Sequence, residues 1–126
     1  MKTVRNVTFY CLLILCSLAV LGCGKKADEN KPLSEVKAEA DKMDTEQLRS
    51  MAMKYKEAIM AKKAELEKLT TKLKDVPVTE TLGEEVKQIK AEIDNISKSV
   101  SAIKERFEVY YQKLKEKGGD LSGLEV

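Results

Sequence analysis

The sequence predicts an all-α fold: an antiparallel helical hairpin of the coiled-coil type, or a three-helix bundle in which a short N-terminal helix joins that hairpin. Three observations support this prediction. Two long stretches, 45–74 and 81–117, place apolar residues at alternating spacings of three and four, which is the heptad pattern of a coiled coil. A short break containing a proline separates the two stretches. A shorter stretch with the same spacing precedes them at 34–43.

The first predicted helix covers residues 34–43 and follows a polar segment. Ser34 is a candidate N-cap, and the apolar positions fall at spacings of three and four. These positions are Leu33, Val36, Ala40 and Met43. The residues before them are charged or polar and end at Pro32, so segment 23–32 is predicted to be a flexible tether.

The second predicted helix, 45–74, begins with a capping box. The Asp44 side chain can accept a hydrogen bond from the Gln47 backbone amide, and the Gln47 side chain can accept one from the Asp44 backbone amide. The seam of this helix is apolar except for Lys62, which is interpreted as a lysine that reaches solvent or, alternatively, as a residue that sets the register. The seam positions are Leu48, Ala52, Tyr55, Ile59, Lys62, Leu66, Leu69, Leu73 and Val76. The helix is predicted to end before Pro77, since proline lacks the amide hydrogen that a helix needs.

The third predicted helix, 81–117, begins with a second possible capping box, formed by Thr81 and Glu84. Its seam is apolar throughout and consists of Leu82, Val86, Ile89, Ile93, Ile96, Val100, Ile103, Phe107, Tyr110 and Leu114. Gly118 is suited to the left-handed conformation that ends many helices. Residues 118–126 are then predicted to be a flexible tail. The connection between the two long helices is short, so they are expected to run antiparallel.

A hairpin of two helices buries little apolar surface for the number of residues that it orders, so a further layer is predicted. Segment 33–43 folding back over the open end of the hairpin is one candidate for this layer, and self-association is the other. Outside its seam the second helix carries a strip of methionines. Met51, Met53 and Met60 are interpreted as core filler or, together with Tyr111, as a docking surface for a partner protein.

Charged residues beside the seam give a test of the register. Antiparallel pairing brings three pairs together: Lys72 with Glu85, Lys56 with Lys104, and Glu65 with Glu92. The first pair is attractive and the other two are repulsive. The repulsive edges are therefore predicted to meet a protein partner or a second copy of the chain.

The first residues of the chain have the organisation of a signal peptide. Lys2 and Arg5 precede a long apolar run, and the run ends in the sequence Val20-Leu21-Gly22-Cys23. This pattern resembles the signal peptide and lipobox of a bacterial lipoprotein. An uncleaved membrane anchor over the same apolar run is the alternative interpretation.

The resemblance implies that residues 1–22 are removed and that the sulfur of Cys23 carries a lipid anchor, with fatty acids such as palmitate. It also implies a location in the cell envelope. Because Gly24 follows the cysteine, the resemblance implies the periplasmic side of an outer membrane in a host that has one. Cys11 and Cys16 lie in the leader and would be removed with it.

The composition that remains argues against catalysis. The chain has no His and no Trp. Catalytic triads, thiolate nucleophiles and imidazole-bearing metal sites therefore lack their residues, and we expect no enzyme activity, no cofactor and no metal. The leader holds two of the 23 Lys and Arg residues and none of the 21 Asp and Glu residues, so the remainder carries 21 of each. This charge balance predicts that the chain does not bind nucleic acid.

Together these features predict a non-enzymatic, membrane-anchored envelope lipoprotein that acts as a helical spacer or a protein-docking module. Its expected partners are the membrane, through the lipid, and another protein or a second copy. The alternative is a periplasmic binder of an apolar ligand or client protein. Its groove would be formed by the methionines with Tyr55, Phe107, Tyr110 and Tyr111. The tether is expected to reach the hairpin at its open end, so that the tip points away from the membrane.

Overall fold

The fold is seen in a computed structural model, which describes residues 26–77, 79 and 83–126. It contains three helices in these residues: α1 spans Leu33–Lys42, α2 spans Thr45–Lys74 and α3 spans Glu84–Glu116. No β-strand occurs in the described part of the chain, and the predicted all-α class is confirmed.

The two long helices, α2 and α3, form an antiparallel hairpin. Near their connection, Lys72 Nζ lies 3.3 Å from a carboxylate oxygen of Glu85. Farther from the connection, the rings of Tyr55 and Tyr110 stack with their centroids 5.4 Å apart. Residue numbers fall in α2 and rise in α3 between these two contacts, so the helices run in opposite directions. The Lys72–Glu85 ion pair confirms the register predicted from the seam.

The helix starts agree with the predicted caps in one case out of three. At α2, the Gln47 amide donates to Asp44 Oδ1 at 2.8 Å, and the Asp44 amide donates to Gln47 Oε1 at 3.2 Å. At α1 the N-cap is Pro32, so Ser34 lies inside the helix and the prediction that it caps is wrong. The N-cap of α3 is Gly83, in an extended conformation, and not Thr81, which lies outside the described residues.

The short helix α1 supplies the third layer over the open end of the hairpin. Val36 and Ala40 are fully buried and belong to the same core cluster as Leu114. The Lys113 ammonium lies 2.7 Å from Asp41, and the Lys117 ammonium donates to the carbonyl oxygen of Met43 at 2.5 Å. The predicted fold-back of segment 33–43 is therefore present, and α1 runs parallel to α3.

The described part of the predicted tether is packed against the hairpin, so the prediction that it is flexible is wrong for residues 26–32. The Tyr55 hydroxyl donates to the Asp28 carbonyl at 3.2 Å. Arg106 Nε donates to the Lys31 carbonyl at 2.8 Å, and the Ser99 hydroxyl bonds to Glu29. These residues are named the docked tether. They contact α3 at Ser99 and Arg106 and α2 at Tyr55. The expected attachment at the open end stays a prediction, because residues 23–25 lie outside the described residues.

The predicted flexible tail is wrong as well, because residues 120–124 pack against α2. Gly118 adopts a φ of 69°, which turns the chain back over the helix end. Leu124 is then 1% exposed and belongs to the hydrophobic core. We name residues 120–124 the C-terminal strap.

The C-terminal strap and the docked tether cover only the part of the hairpin near its open end. The remaining part, residues 66–76 with 84–98, is named the bare half. Most of its seam residues are only half-buried: Leu66, Leu69, Leu73, Val76, Ile93 and Ile96. The fold is thus a multilayered bundle at one end and a two-helix hairpin at the other.

Candidate functional site

The four residues predicted to form a docking surface do not share one environment. Met51 is 6% exposed and lies in the core cluster, whereas Met60 is 53% exposed. Met53 and Tyr111 are half-buried and pack against the core cluster. A surface built from all four is therefore not formed. The interpretation of these methionines as core filler holds for Met51, and Met60 is the member that faces solvent.

The predicted apolar groove is filled by its own side chains. Tyr55 and Tyr110 are 1% and 0% exposed and stack on each other. Phe107 is buried, and its ring lies 5.7 Å from that of Tyr111. Burial raises the pKa of the Tyr110 hydroxyl well above its ordinary value, and the neighbouring Tyr55 and Glu39 act in the same direction. These aromatic residues stabilise the core, and Tyr55 and Tyr110 also border a hollow of about 600 Å³ whose other wall is the docked tether.

The hollows near this core are shallow and lined by charge. One, of about 660 Å³, lies between α1 and α2 and is bounded by Glu39, Lys42, Met43, Glu46, Gln47, Ser50, Met51 and Lys54. Alternating lysines and glutamates keep such a surface hydrated, and ligand sites are usually more apolar and more enclosed. The hollow is therefore more open and more charged than a usual site for an apolar ligand.

The bare half is the candidate contact surface that the structure leaves available. Its seam has the coiled-coil spacing, yet neither α1 nor the C-terminal strap reaches it. Leu69, Ile93 and Ile96 keep part of their side chains in water. Partly exposed apolar side chains in a continuous row gain free energy when another surface covers them. The arrangement suits helix-to-helix contact with a partner.

Lys62 marks the boundary between the covered and the bare parts of the hairpin. Its side chain is 37% exposed, and its ammonium lies 3.5 Å from Glu65 one turn later. The side chain therefore reaches solvent from a seam position, which agrees with the interpretation of Lys62 as a solvent-reaching lysine.

Two ionic contacts hold the added layers to the hairpin. Lys113 beside Asp41 holds the pKa of that carboxyl below its ordinary value, and Asp41 in turn raises the pKa of Lys113. In the C-terminal strap, hydrogen bonds from the backbone and hydroxyl of Ser122 lower the pKa of Asp120, and Arg49 adds to the effect. Both carboxyl groups are on the surface, so water screens their interactions.

The cations that bind the strap to α2 were not among the residues predicted from the sequence. Arg49 donates to the carbonyls of Asp120 and Ser122, at 3.3 Å and 2.8 Å. Lys56 Nζ donates to the Gly123 carbonyl at 2.7 Å. A signal was present in the pair Leu121 and Leu124, whose spacing of three is unusual for a solvated tail.

The remaining predictions concern a lipidation site, the alternative of a membrane anchor in the first residues, and the expectation of no metal; the lipidation site and the anchor lie in residues that the structure does not describe. Cys23 lies outside the described residues. Within residues 26–77, 79 and 83–126, no group of three or more metal-ligating side chains converges. No helix in that same part of the chain is long and apolar enough to cross a bilayer.

Comparison of the chain with protein-family models, with curated proteins and with solved structures found no match.

Proposed function

We propose that this protein is a lipid-anchored protein of the bacterial cell envelope that works by contact and not by catalysis. In this proposal the thioether of Cys23 holds the chain to the membrane, and the helical hairpin serves as a docking module for another protein or a second copy. Two features support it. The sequence around Cys23 has the form of a lipobox, and the bare half carries a half-exposed heptad seam.

The observation that best supports the docking role is that the seam is buried by added segments in one part of the hairpin and not in the other. Near the open end, α1, the docked tether and the C-terminal strap bury the seam almost completely. The same seam continues into the bare half without such cover. A spacer has no need for an uncovered apolar row, whereas a docking module gains affinity from it.

Metabolic labelling with a tagged fatty acid tests the anchor. The wild-type protein is expected to take up the label, and Cys23→Ser is expected to take up none. Cys16→Ser is the matched control, because Cys16 lies in the predicted leader and its loss should leave labelling unchanged. Equal labelling of Cys23→Ser and wild type would refute the anchor.

Site-specific photo-crosslinking in intact cells tests the docking role. A photoreactive amino acid at Ile96, in the bare half, is expected to give a discrete crosslinked species. The same residue at Ala38, on the exposed face of α1, is the control and is expected to give none. The mass of the adduct separates a second copy from a different protein. Absence of a discrete adduct at Ile96 would leave the spacer role as the better description.

A further inference from the structure

The docked tether is held to the hairpin mainly by polar contacts. The Tyr55 hydroxyl donates to the Asp28 carbonyl and accepts from the Asp28 amide, both at 3.2 Å. The Ser99 hydroxyl donates to the Glu29 carboxylate. Ala27 is the one apolar residue in segment 26–31, and it packs against the core cluster. The tether therefore buries little apolar surface where it docks.

A segment held in this way is close to a balance between docked and released states. At its end the Lys31 carbonyl accepts from Arg106 Nε at 2.8 Å, and the Lys31 ammonium lies 2.6 Å from Glu39. Each such contact replaces one with water, so its net contribution is small, whereas each ordered residue loses conformational entropy. Segments with few buried apolar contacts open at a low free energy.

The state of the tether determines how much chain lies between the folded body and the lipidated sulfur. In the docked state the chain from Cys23 to Lys26 is three residues long and spans at most about 11 Å. Lys26 borders the hollow of about 600 Å³ under the tether, so this short connection begins at the body itself. Release extends the connection to Leu33, the first residue of α1. Ten residues have a root-mean-square reach of about 18 Å and a limit of about 36 Å.

From these contacts and lengths we propose that the docked tether is a releasable leash that sets the distance between the folded body and the bilayer. The proposal rests on the proposed lipidation of Cys23. With the tether docked, the body stays within about 11 Å of its anchor; with the tether released, it moves farther from the membrane. The two events are coupled reciprocally: a partner that holds the body away from the bilayer favours release, and a docked tether opposes binding of that partner.

A pair of conservative substitutions weakens docking without emptying the core. Tyr55→Phe with Ser99→Ala removes the hydroxyl groups that bond to Asp28 and Glu29 and keeps the Tyr55 ring position filled. Tyr111→Phe with Ser101→Ala is the matched control. It makes the same chemical changes at residues with no hydrogen bond to the docked tether, since the Ser101 hydroxyl donates within α3.

Energy transfer to the membrane measures the distance. The acylated protein is purified from membranes with an azide-bearing amino acid at Ala38, an exposed position of α1, for attachment of a donor fluorophore. It is reconstituted in phosphatidylcholine vesicles that contain a headgroup-labelled acceptor lipid. The Tyr55→Phe, Ser99→Ala variant is expected to place the donor roughly 7 Å farther from the acceptor plane than wild type does, which is the difference between the two reaches. The control pair is expected to match wild type.

Introduced cysteines report the state of the tether directly. After acylation Cys23 has no thiol, and Cys11 and Cys16 leave with the predicted leader. Glu29→Cys, at a half-buried position, is expected to react with a maleimide roughly tenfold faster when Tyr55→Phe and Ser99→Ala are present. A short bismaleimide that bridges Glu29→Cys to Ser99→Cys in the Tyr55→Phe protein is expected to restore the wild-type distance.

Each other result decides against the leash. Faster maleimide reaction with an unchanged distance would show that release does not move the body. An unchanged reaction rate would show that these contacts do not control release, and an equal shift in the control pair would remove the link to the tether. The mass of the Cys23 peptide is measured in the same preparations. Acylated protein with an unchanged distance overturns the leash alone, whereas protein without acyl chains defeats the proposed anchor and the leash with it.

Discussion

Arg106 is a charged side chain that the fold places almost entirely out of water. It is 8% exposed, and its guanidinium donates to two backbone carbonyls: to Lys31 at 2.8 Å and to Ala102 at 2.6 Å. A buried cation needs such acceptors, because the loss of hydration is costly without them. Arg106 therefore joins the docked tether to α3, and its fork of donors suits it to bind two carbonyls at once.

Replacement of Arg106 tests this role. Arg106→Ala is expected to lower the free energy of unfolding by about 2–3 kcal/mol, because hydrogen bonds from a charged donor and the packing of its stem are lost. Arg106→Lys keeps the charge but not the fork, so its loss should be smaller. Urea unfolding followed by circular dichroism measures both. Lys104→Ala, at an exposed position of the same helix, is the control. Equal stability of Arg106→Ala and Lys104→Ala would show that the tether contact is not stabilising.

The ionic contacts of Asp41 and Asp120 predict a loss of stability in acid. Their pKa values are lowered in the folded protein, so they add stability above the unfolded value of 3.8 and lose it as the pH falls through the folded value. Lys113 acts in the opposite sense: its pKa is raised, so its contribution is complete below the unfolded value of 10.5 and is lost in stronger alkali.

Melting temperatures of wild type and Asp41→Asn across the acid range measure this effect. The variant is expected to be less stable at neutral pH, and the difference should shrink below about pH 4 as the wild-type carboxylate is neutralised. Asp44→Asn is a useful control, since asparagine also caps helices and Asp44 lies outside the α1–α3 contact. A difference that stays constant into strong acid would contradict the assignment of the effect to Asp41.

At the scale of elements, the C-terminal strap contributes a core residue from outside any helix. Leu124 is 1% exposed among side chains of α2 and α3. Leu124→Ala is expected to cost about 2–5 kcal/mol of unfolding free energy, the range found for buried leucines. Val126→Ala, at a residue that is 40% exposed, should stay within about 0.5 kcal/mol of wild type. Guanidinium unfolding of the two variants makes the comparison, and equal losses would mean that the strap does not hold Leu124 in the core.

The position of the strap could not be predicted from the sequence, in contrast to α2. The bounds of α2 and its capping box could be predicted from Asp44, Gln47 and the heptad seam, because those signals are local and repeat along the chain. The strap has no period, and its position depends on Arg49 and Lys56 donating to carbonyl groups about seventy residues away. Every residue has a backbone carbonyl, so the sequence does not indicate which carbonyl will accept a hydrogen bond. Such contacts can be identified only once the helices are placed. For the same reason the sequence left two interpretations of Met51, core filler or docking surface, and the tether and α1 decide for the core because they cover a face that an isolated hairpin would expose.

At the scale of the whole molecule, the layers divide the hairpin into parts of different stability. Near the open end, α1, the docked tether and the C-terminal strap surround residues such as Tyr55, Tyr110 and Leu114, which are nearly or fully buried. The bare half has two layers only, and each of its helices shows one side to water. Local opening should therefore require less free energy in the bare half than near the open end.

Amide hydrogen exchange in α2 and α3 tests this division. Amides in 66–73 and 89–96 are expected to exchange faster than those in 48–59 and 103–114, since fewer apolar contacts break when the bare half opens. Leu124→Ala should speed exchange mainly in the second set, because only those segments contact the strap. Uniform protection along both helices would show a single cooperative unit and contradict the division. A partner that covers the bare half, as we propose, should slow exchange only in 66–73 and 89–96. The free energy needed to open these segments rises when their apolar side chains are buried against the partner.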